Sequence, residues 1–116
     1  MKYSLFIGRW QPWHEGHQWL IDQQLEKGNR VLLAIRDVST DEKNPWTAQQ
    51  VMKNLQKIHY DLIKQDRIKL MIIPDIDSVN YGRGVGYHIN EHVPPQQIKE
   101  VSATKIREKL RSDGKL

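Results

Sequence analysis

Apolar positions fall along this chain in short continuous runs, separated by stretches where they recur every three or four residues. Tyr3-Ser4-Leu5-Phe6-Ile7 is such a run, stopped by Gly8, and reads as a buried strand. From about Glu15 to Lys27 the residues Leu20, Ile21 and Leu25 keep helical spacing, and Gly28-Asn29 is a stop. Arg30-Val31-Leu32-Leu33-Ala34-Ile35 is a second strand, which gives the strand, helix, strand unit of a parallel sheet. Thr47 with Gln50 three residues on forms a capping-box pattern, and Val51, Leu55, Ile58 and Leu62 then hold one apolar face to about Lys64. Ile68-Lys69-Leu70-Met71-Ile72-Ile73-Pro74 is a third strand, and Val85 to Val93 a weaker fourth, ended by Pro94-Pro95. Ser102 or Thr104 can cap a last helix to about Ser112, with Ile106 and Leu110 facing the core. The pattern predicts an α/β fold: a parallel sheet of four or so strands with helices on both faces, doubly wound in the Rossmann-like manner.

A chain of 116 residues is expected to form one domain over residues 1–116 with a single core. At 38% hydrophobic and 28% charged residues it is a rather polar globular chain. No apolar run reaches membrane-spanning length, and Gly8-Arg9 interrupts what would be the apolar stretch of a signal peptide, so a cytoplasmic protein with no membrane partner is expected. The absence of cysteine excludes disulfides and thiol chemistry. The net charge of +4 suits a polyphosphate ligand and would equally suit loose nucleic-acid binding, so it does not separate the two. Four tryptophans and a small sheet with an exposed edge raise the expectation of a homo-oligomer.

The chemistry concentrates in Phe6-Ile7-Gly8-Arg9-Trp10-Gln11-Pro12-Trp13-His14-Glu15-Gly16-His17. Pro12 holds residue 11 away from helical dihedrals, so a helix can start only after it. His14 and His17 then share one side of the first turn, where free backbone N–H groups and the positive end of the helix dipole favour an anion. Gly16 lets a ligand approach the backbone closely. Paired histidines also suit zinc, yet no cysteine and no acidic cluster beyond Glu15 completes four ligands, so no metal site is assigned. His59 and His92 read as structural. In the tail, Val101-Ser102-Ala103-Thr104-Lys105-Ile106-Arg107 brings hydroxyls, free N–H groups and two cations to a second helix start, which can be a plain cap or a phosphate site.

Gly8-Arg9-Trp10-Gln11-Pro12-Trp13-His14-Glu15-Gly16-His17 resembles the signature of the nucleotidylyltransferase superfamily that carries the HxGH motif, in wording closest to nicotinamide mononucleotide adenylyltransferases and cytidylyltransferase-like domains. Asn44-Pro45-Trp46-Thr47-Ala48, otherwise a helix start with Trp46 as hydrophobic staple, looks like the segment after the second strand in adenylyltransferases of this family. Ser102 to Arg107 is similar to the family's second signature, with alanine in its middle. The resemblance implies transfer of a nucleoside monophosphate from ATP, or from CTP, to a phosphate-bearing small molecule, with release of pyrophosphate. His14, His17, Arg107 and Lys105 would be the catalytic groups. Gly8, Arg9, Trp10, Gln11, Gly16, Ser102, Ala103 and Thr104 would hold the nucleotide. Magnesium would bridge phosphate oxygens without a dedicated protein cage.

Asn80 to Tyr87 is a glycine-rich stretch that either wraps phosphate or acceptor, through Tyr81 and Arg83, or simply connects. Asp75 and Asp77 either hold magnesium or face water. The polar segment Arg36 to Pro45 reads as a mobile loop at a strand's C-terminal end, where ligands of open α/β sheets bind. Only about 27 residues separate Ile73 from Val101, where full-sized adenylyltransferases of the type this chain resembles carry another strand-helix portion, so the resemblance implies the fold in a form reduced in its second half. That shortening leaves a second function open, a non-catalytic nucleotide-binding or regulatory module that keeps the triphosphate site. A third, an RNA-associated domain like the aminoacyl-tRNA synthetases that share a similar histidine motif, has no lysine-rich loop or RNA-binding appendage to support it.

Overall fold

The computed structural model describes residues 2–116. Its elements follow as β1 (Tyr3–Gly8), α1 (Glu15–Leu25), β2 (Arg30–Asp37), α2 (Ala48–Ile58), α3 (Tyr60–Lys64), β3 (Ile68–Pro74), α4 (Gln96–Lys99) and α5 (Ala103–Ser112). The three strands pair in parallel in the order β1-β2-β3, with Phe6 beside Leu33 and Leu33 beside Leu70. Strand side chains alternate between faces, so this register collects Phe6, Val31, Leu33, Ile35 and Ile68 on one side of the sheet. Ile21 and Leu25 of α1 and Ala48, Val51 and Leu55 of α2 close over them as one core.

The three longer helices, α1, α2 and α5, start where the sequence supplies a side-chain cap. Thr47 Oγ1 accepts from the Gln50 backbone N–H at 3.1 Å, and Gln50 Oε1 accepts from the Thr47 N–H at 2.8 Å, the reciprocal pair anticipated from their spacing. α1 ends at a turn in which Gly28, at φ 81°, takes a left-handed conformation open to glycine at no steric cost. The apolar stripe expected to run unbroken to Lys64 is divided at His59, whose backbone (φ −106°, ψ 21°) leaves the helical region. The His59 N–H still bonds the Leu55 carbonyl and its own carbonyl accepts from Ile63. Past this bend, Leu62 and Ile63 both reach the core.

One expectation is corrected. The sheet has three strands among the described residues, and Val85 to Val93 carries no strand pairing. Gly84 and Gly86 there stand at φ 77° and 78°, which bends the backbone out of the extended form that the alternating pattern favours. Ile21 and Leu25 of α1 and Val51 and Leu55 of α2 cover the sheet face that carries Phe6, Val31, Leu33, Ile35 and Ile68. On the opposite face Leu5 and Met71 stay 55% and 43% exposed. The molecule is therefore a three-stranded, Rossmann-like α/β unit cut short in its second half.

The core predicts its own sensitivity. Leu55 is fully buried between α2 and the sheet. Leu55→Ala should lower the unfolding free energy by about 2 to 5 kcal/mol, read as a reduced urea midpoint at unchanged slope. A midpoint equal to wild type would mean that α2 does not pack as described.

Candidate active site

The turn between β1 and α1 is held in an unusual shape by its own aromatic residue. Trp10 sits at φ 54°, a left-handed conformation that costs a bulky side chain on the order of 1 to 2 kcal/mol. Burial to 5% exposure and a hydrogen bond from its Nε1 to the Ala34 carbonyl at 3.1 Å hold it there. The indole lies flat over Gly8, where a Cβ would come within 2.8 Å of the ring, so residue 8 has to be glycine.

After this turn the two histidines form the cap of α1. His14 Nδ1 accepts from the Gly16 N–H at 3.0 Å, and His17 Nδ1 accepts from the His14 N–H at 3.3 Å. This is a capping box with imidazoles in place of hydroxyl and carboxylate. The rings stack at 3.7 Å between centroids, and a Cβ on Gly16 would lie 2.8 Å from His14 Cε1. Because both Nδ1 atoms are acceptors, the neutral rings carry their proton on Nε2. Burial depresses both titrations, that of His17 to about 3 with the neighbouring His14 adding to the effect, while Glu15 partly offsets burial at His14. Near neutral pH the motif therefore offers two neutral N–H donors. His17 is further wedged against Trp10 and Trp13, at 4.9 and 5.2 Å between ring centroids. Behind Trp13, at 4.9 Å, lies the buried ring of His59, in the structural place expected of it.

A cavity of ≈ 250 Å³ opens on this turn. Gly8, Arg9, Trp10, Gln11 and His17 line it from the first signature, and Ala103 and Arg107 from the second. The two helix starts thus converge on one space, with the positive ends of α1 and α5 beside it. Arg107 is only 7% exposed. Its Nη1 donates to the Gln11 carbonyl at 2.6 Å and its Nη2 to Thr104 Oγ1 at 3.3 Å. Burial, and then the nearby Arg9 and Arg111, draw its pKa below the ordinary arginine range, the mark of a crowded cationic cluster. The Gln11 side chain is committed to the protein: its amide donates to the Trp46 carbonyl at 2.8 Å and accepts from the Trp46 N–H at 3.0 Å. Gln11 therefore offers a ligand no free side-chain group on the atoms so engaged, and it sets the shape of the turn instead.

The remaining sequence-predicted residues are placed as follows. Ser102 caps α5 through the Lys105 N–H at 3.4 Å, and Thr104 and Lys105 are exposed on the first turn, outside the cavity lining. Tyr81 lines a second, larger cavity of ≈ 1140 Å³, which Arg83 does not reach. The two cavities meet at Ile7 and Leu20. Asp75 is engaged by Arg36 at 2.7 Å, so its carboxylate is already paired. Lys43 is a lining residue that motif reading left out. It lies on the loop after β2, whose Asp41 Oδ1 accepts from the Lys43 and Asn44 N–H groups at 2.9 and 2.7 Å and whose Glu42 carbonyl accepts from Arg111. Its signal was the position at a strand's C-terminal end. Arg9, Lys43, Arg107 and the two helix starts supply positive potential and N–H donors, with no carboxylate in the lining, an arrangement that can hold a polyphosphate.

Comparison with known proteins gives a consistent direction. No family model matches the chain. The nicotinamide-nucleotide adenylyltransferase of Methanocorpusculum labreanum is 30% identical over 97 residues, covering 82% of this chain and 55% of the relative. The enzyme of the same name from Caldivirga maquilingensis is 29% identical over 101 residues, 84% of this chain and 55% of the relative. That from Pyrococcus furiosus is 32% identical over 81 residues, 66% and 43% respectively. The chain spans about half the length of the curated relatives it matches.

Two outcomes are expected from this geometry. Gly16→Ala should leave the melting temperature nearly unchanged, since alanine suits a helix, yet displace the His14 ring and weaken binding of inorganic tripolyphosphate by about tenfold. Titration calorimetry with an unchanged affinity would separate the ring from the anion site. The second concerns pH. His14, His17 and His59 are all depressed below 6.5, so as pH falls through 6.5 the unfolded chain takes up protons that the folded chain refuses. Stability should therefore be full above about pH 7 and fall progressively below 6.5, continuing toward pH 3 for His17. Melting temperatures that stay flat from pH 7 to 4.5 would contradict the burial of these rings.

Proposed function

We propose, from the premise that this chain belongs to the nucleotidylyltransferase superfamily, that it transfers the adenylyl group of ATP to a phosphate-bearing small molecule and releases pyrophosphate. The observation that carries the proposal is the convergence of His17, with His14 stacked behind it outside the lining, and the Arg107 helix start on one cation-lined cavity. The name shared by the relatives favours ATP over CTP as donor and makes nicotinamide mononucleotide the first acceptor to try. The larger cavity, with Tyr3, Phe6, Tyr81 and Tyr87 in its lining, supports a ring-bearing acceptor whose phosphate points toward Ile7 and Leu20.

In this reading an acceptor phosphate oxygen attacks the α-phosphorus in line. The new P–O bond forms as the bond from the α-phosphorus to the bridging oxygen of pyrophosphate breaks. The acceptor is already ionised, so no general base is needed. Negative charge grows on the leaving group and on the α-phosphoryl oxygens, and fixed donors there lower the barrier. The Nε2–H of His17, whose ring lines the cavity and is fixed by the cap, would be such a donor, and that of His14, stacked on it, would be the second. Arg9, Lys43 and the free N–H groups of Arg107 would hold the β and γ phosphates. Magnesium would arrive on the triphosphate and neutralise part of its charge. The cavity lining has no carboxylate to cage it, so the ion would be held by phosphate and water.

The shortened segment between β3 and α4 keeps a non-catalytic nucleotide-binding module as the second reading. Pyrophosphate release from ATP with nicotinamide mononucleotide, then with other phosphorylated acceptors, decides between them. Release above background is expected, and binding of ATP with no release across the panel would establish the module. His17→Ala should lower the turnover rate by on the order of a hundredfold with its circular dichroism unchanged. Turnover equal to wild type would remove His17 from the reaction.

A further inference from the structure

The segment from Val79 to Val93 has no partner in the sheet, yet its sequence alternates with a period of two. Val79, Tyr81, Val85, Tyr87, Ile89 and Val93 fall on odd positions, with Arg83 and Glu91 the two charged members of that set. The even positions are Asn80, His88, Asn90, His92 and three glycines. Such alternation belongs to a strand with one apolar face. Here that face is bare: Tyr87 is 75% exposed, Val79 and Ile89 69%, and Val93 64%.

We propose that this segment is a self-association strand, pairing antiparallel with the same segment of a second copy across a twofold axis at Tyr87. The charge pattern selects both the partner and the register. With Tyr87 facing Tyr87, Arg83 of each copy stands opposite Glu91 of the other, Val85 opposite Ile89, and Tyr81 opposite Val93. A shift of two residues in either direction leaves both charges facing apolar or aromatic side chains. Opposite charges and aromatic or β-branched pairs are the combinations that stabilise antiparallel strands. A segment complementary to itself in one register is what an isologous interface requires. Pro94 and Pro95, which cannot donate to a ladder, close the pairing just beyond Val93.

Lateral contact between the cross-strand pairs covers part of the apolar surface that the six residues expose in the single chain. Gly84 and Gly86 are left-handed in the single chain, and glycine passes from there to the extended form without a Cβ penalty, so pairing can straighten a segment that is bent alone. Tyr81, Tyr87 and Ile89 also line the larger cavity, so straightening the segment on pairing would reshape one of its walls. The inference itself rests on the segment's pattern and exposure, independent of the activity proposed above.

Sedimentation velocity on the full chain tests it. The wild type should be dimeric at about 100 µM. Arg83→Glu and Glu91→Arg, each placing like charges opposite at two symmetric positions, should each raise the dissociation constant by roughly tenfold or more. The double variant Arg83→Glu/Glu91→Arg restores opposite charges and should restore the dimer. Both residues are exposed, so circular dichroism should be unchanged in all three. A monomeric wild type would overturn the proposal, whether the segment joins β1 of its own chain or awaits a different protein. Single reversals without effect, or a double reversal that fails to rescue, would overturn it as well.

Discussion

Three loops that are far apart in the chain are fixed to one another through Gln11. Its side-chain amide brackets the backbone of Trp46 from both sides, and its carbonyl receives the Arg107 guanidinium at 2.6 Å. The residue is 4% exposed, so these bonds are made where water cannot replace them and a broken one leaves a buried group unsatisfied. The turn after β1, the start of α2 and the start of α5 thereby hold a common geometry. No strand or long helix could do this, because the sheet ends before any of the three begins. The cavity exists because the loops around it are tied backbone to side chain.

The same economy runs through the histidine pair. A hydroxyl and a carboxylate would cap α1 as well, but they would put a negative charge beside a cavity lined by Arg9, Lys43 and Arg107. Two imidazoles cap with their Nδ1 atoms and leave their Nε2–H groups out of the cap. Burial holds them neutral, so they stay donors across the physiological range without adding to the repulsion among Arg9, Arg107 and Arg111. Trp10, in its left-handed conformation, supplies the floor: it packs against His17 and forces glycine at position 8. Strain at this one residue is offset by burial and by the bond to Ala34.

Much of this was legible beforehand. The apolar runs gave β1, β2 and β3 to within two residues, because buried parallel strands are written as continuous hydrophobic sequence. The Thr47–Gln50 cap followed from spacing alone, and so did the shared face of His14 and His17. What stayed hidden was tertiary. That the histidines themselves form the capping box, that Gln11 is consumed by Trp46, and that Lys43 reaches the cavity all depend on where separate loops meet. The segment from Val85 to Val93 was misjudged for a related reason. Its alternation is a real strand signal, but a strand needs a neighbour, and the chain as it folds alone leaves this one without. The bend at His59 had no visible marker, since histidine is tolerated within helices.

The central claim is that the space between the two helix starts binds a nucleoside triphosphate. The most direct measurement is the thermal stability of the purified chain with magnesium and each of ATP, CTP, GTP and UTP in turn. A triphosphate at a hundred times its dissociation constant should stabilise the fold by about 2.7 kcal/mol, a clear rise in melting temperature, with ATP giving the largest rise. The absence of a rise with any of the four, at millimolar concentration, would contradict the assignment of this cavity.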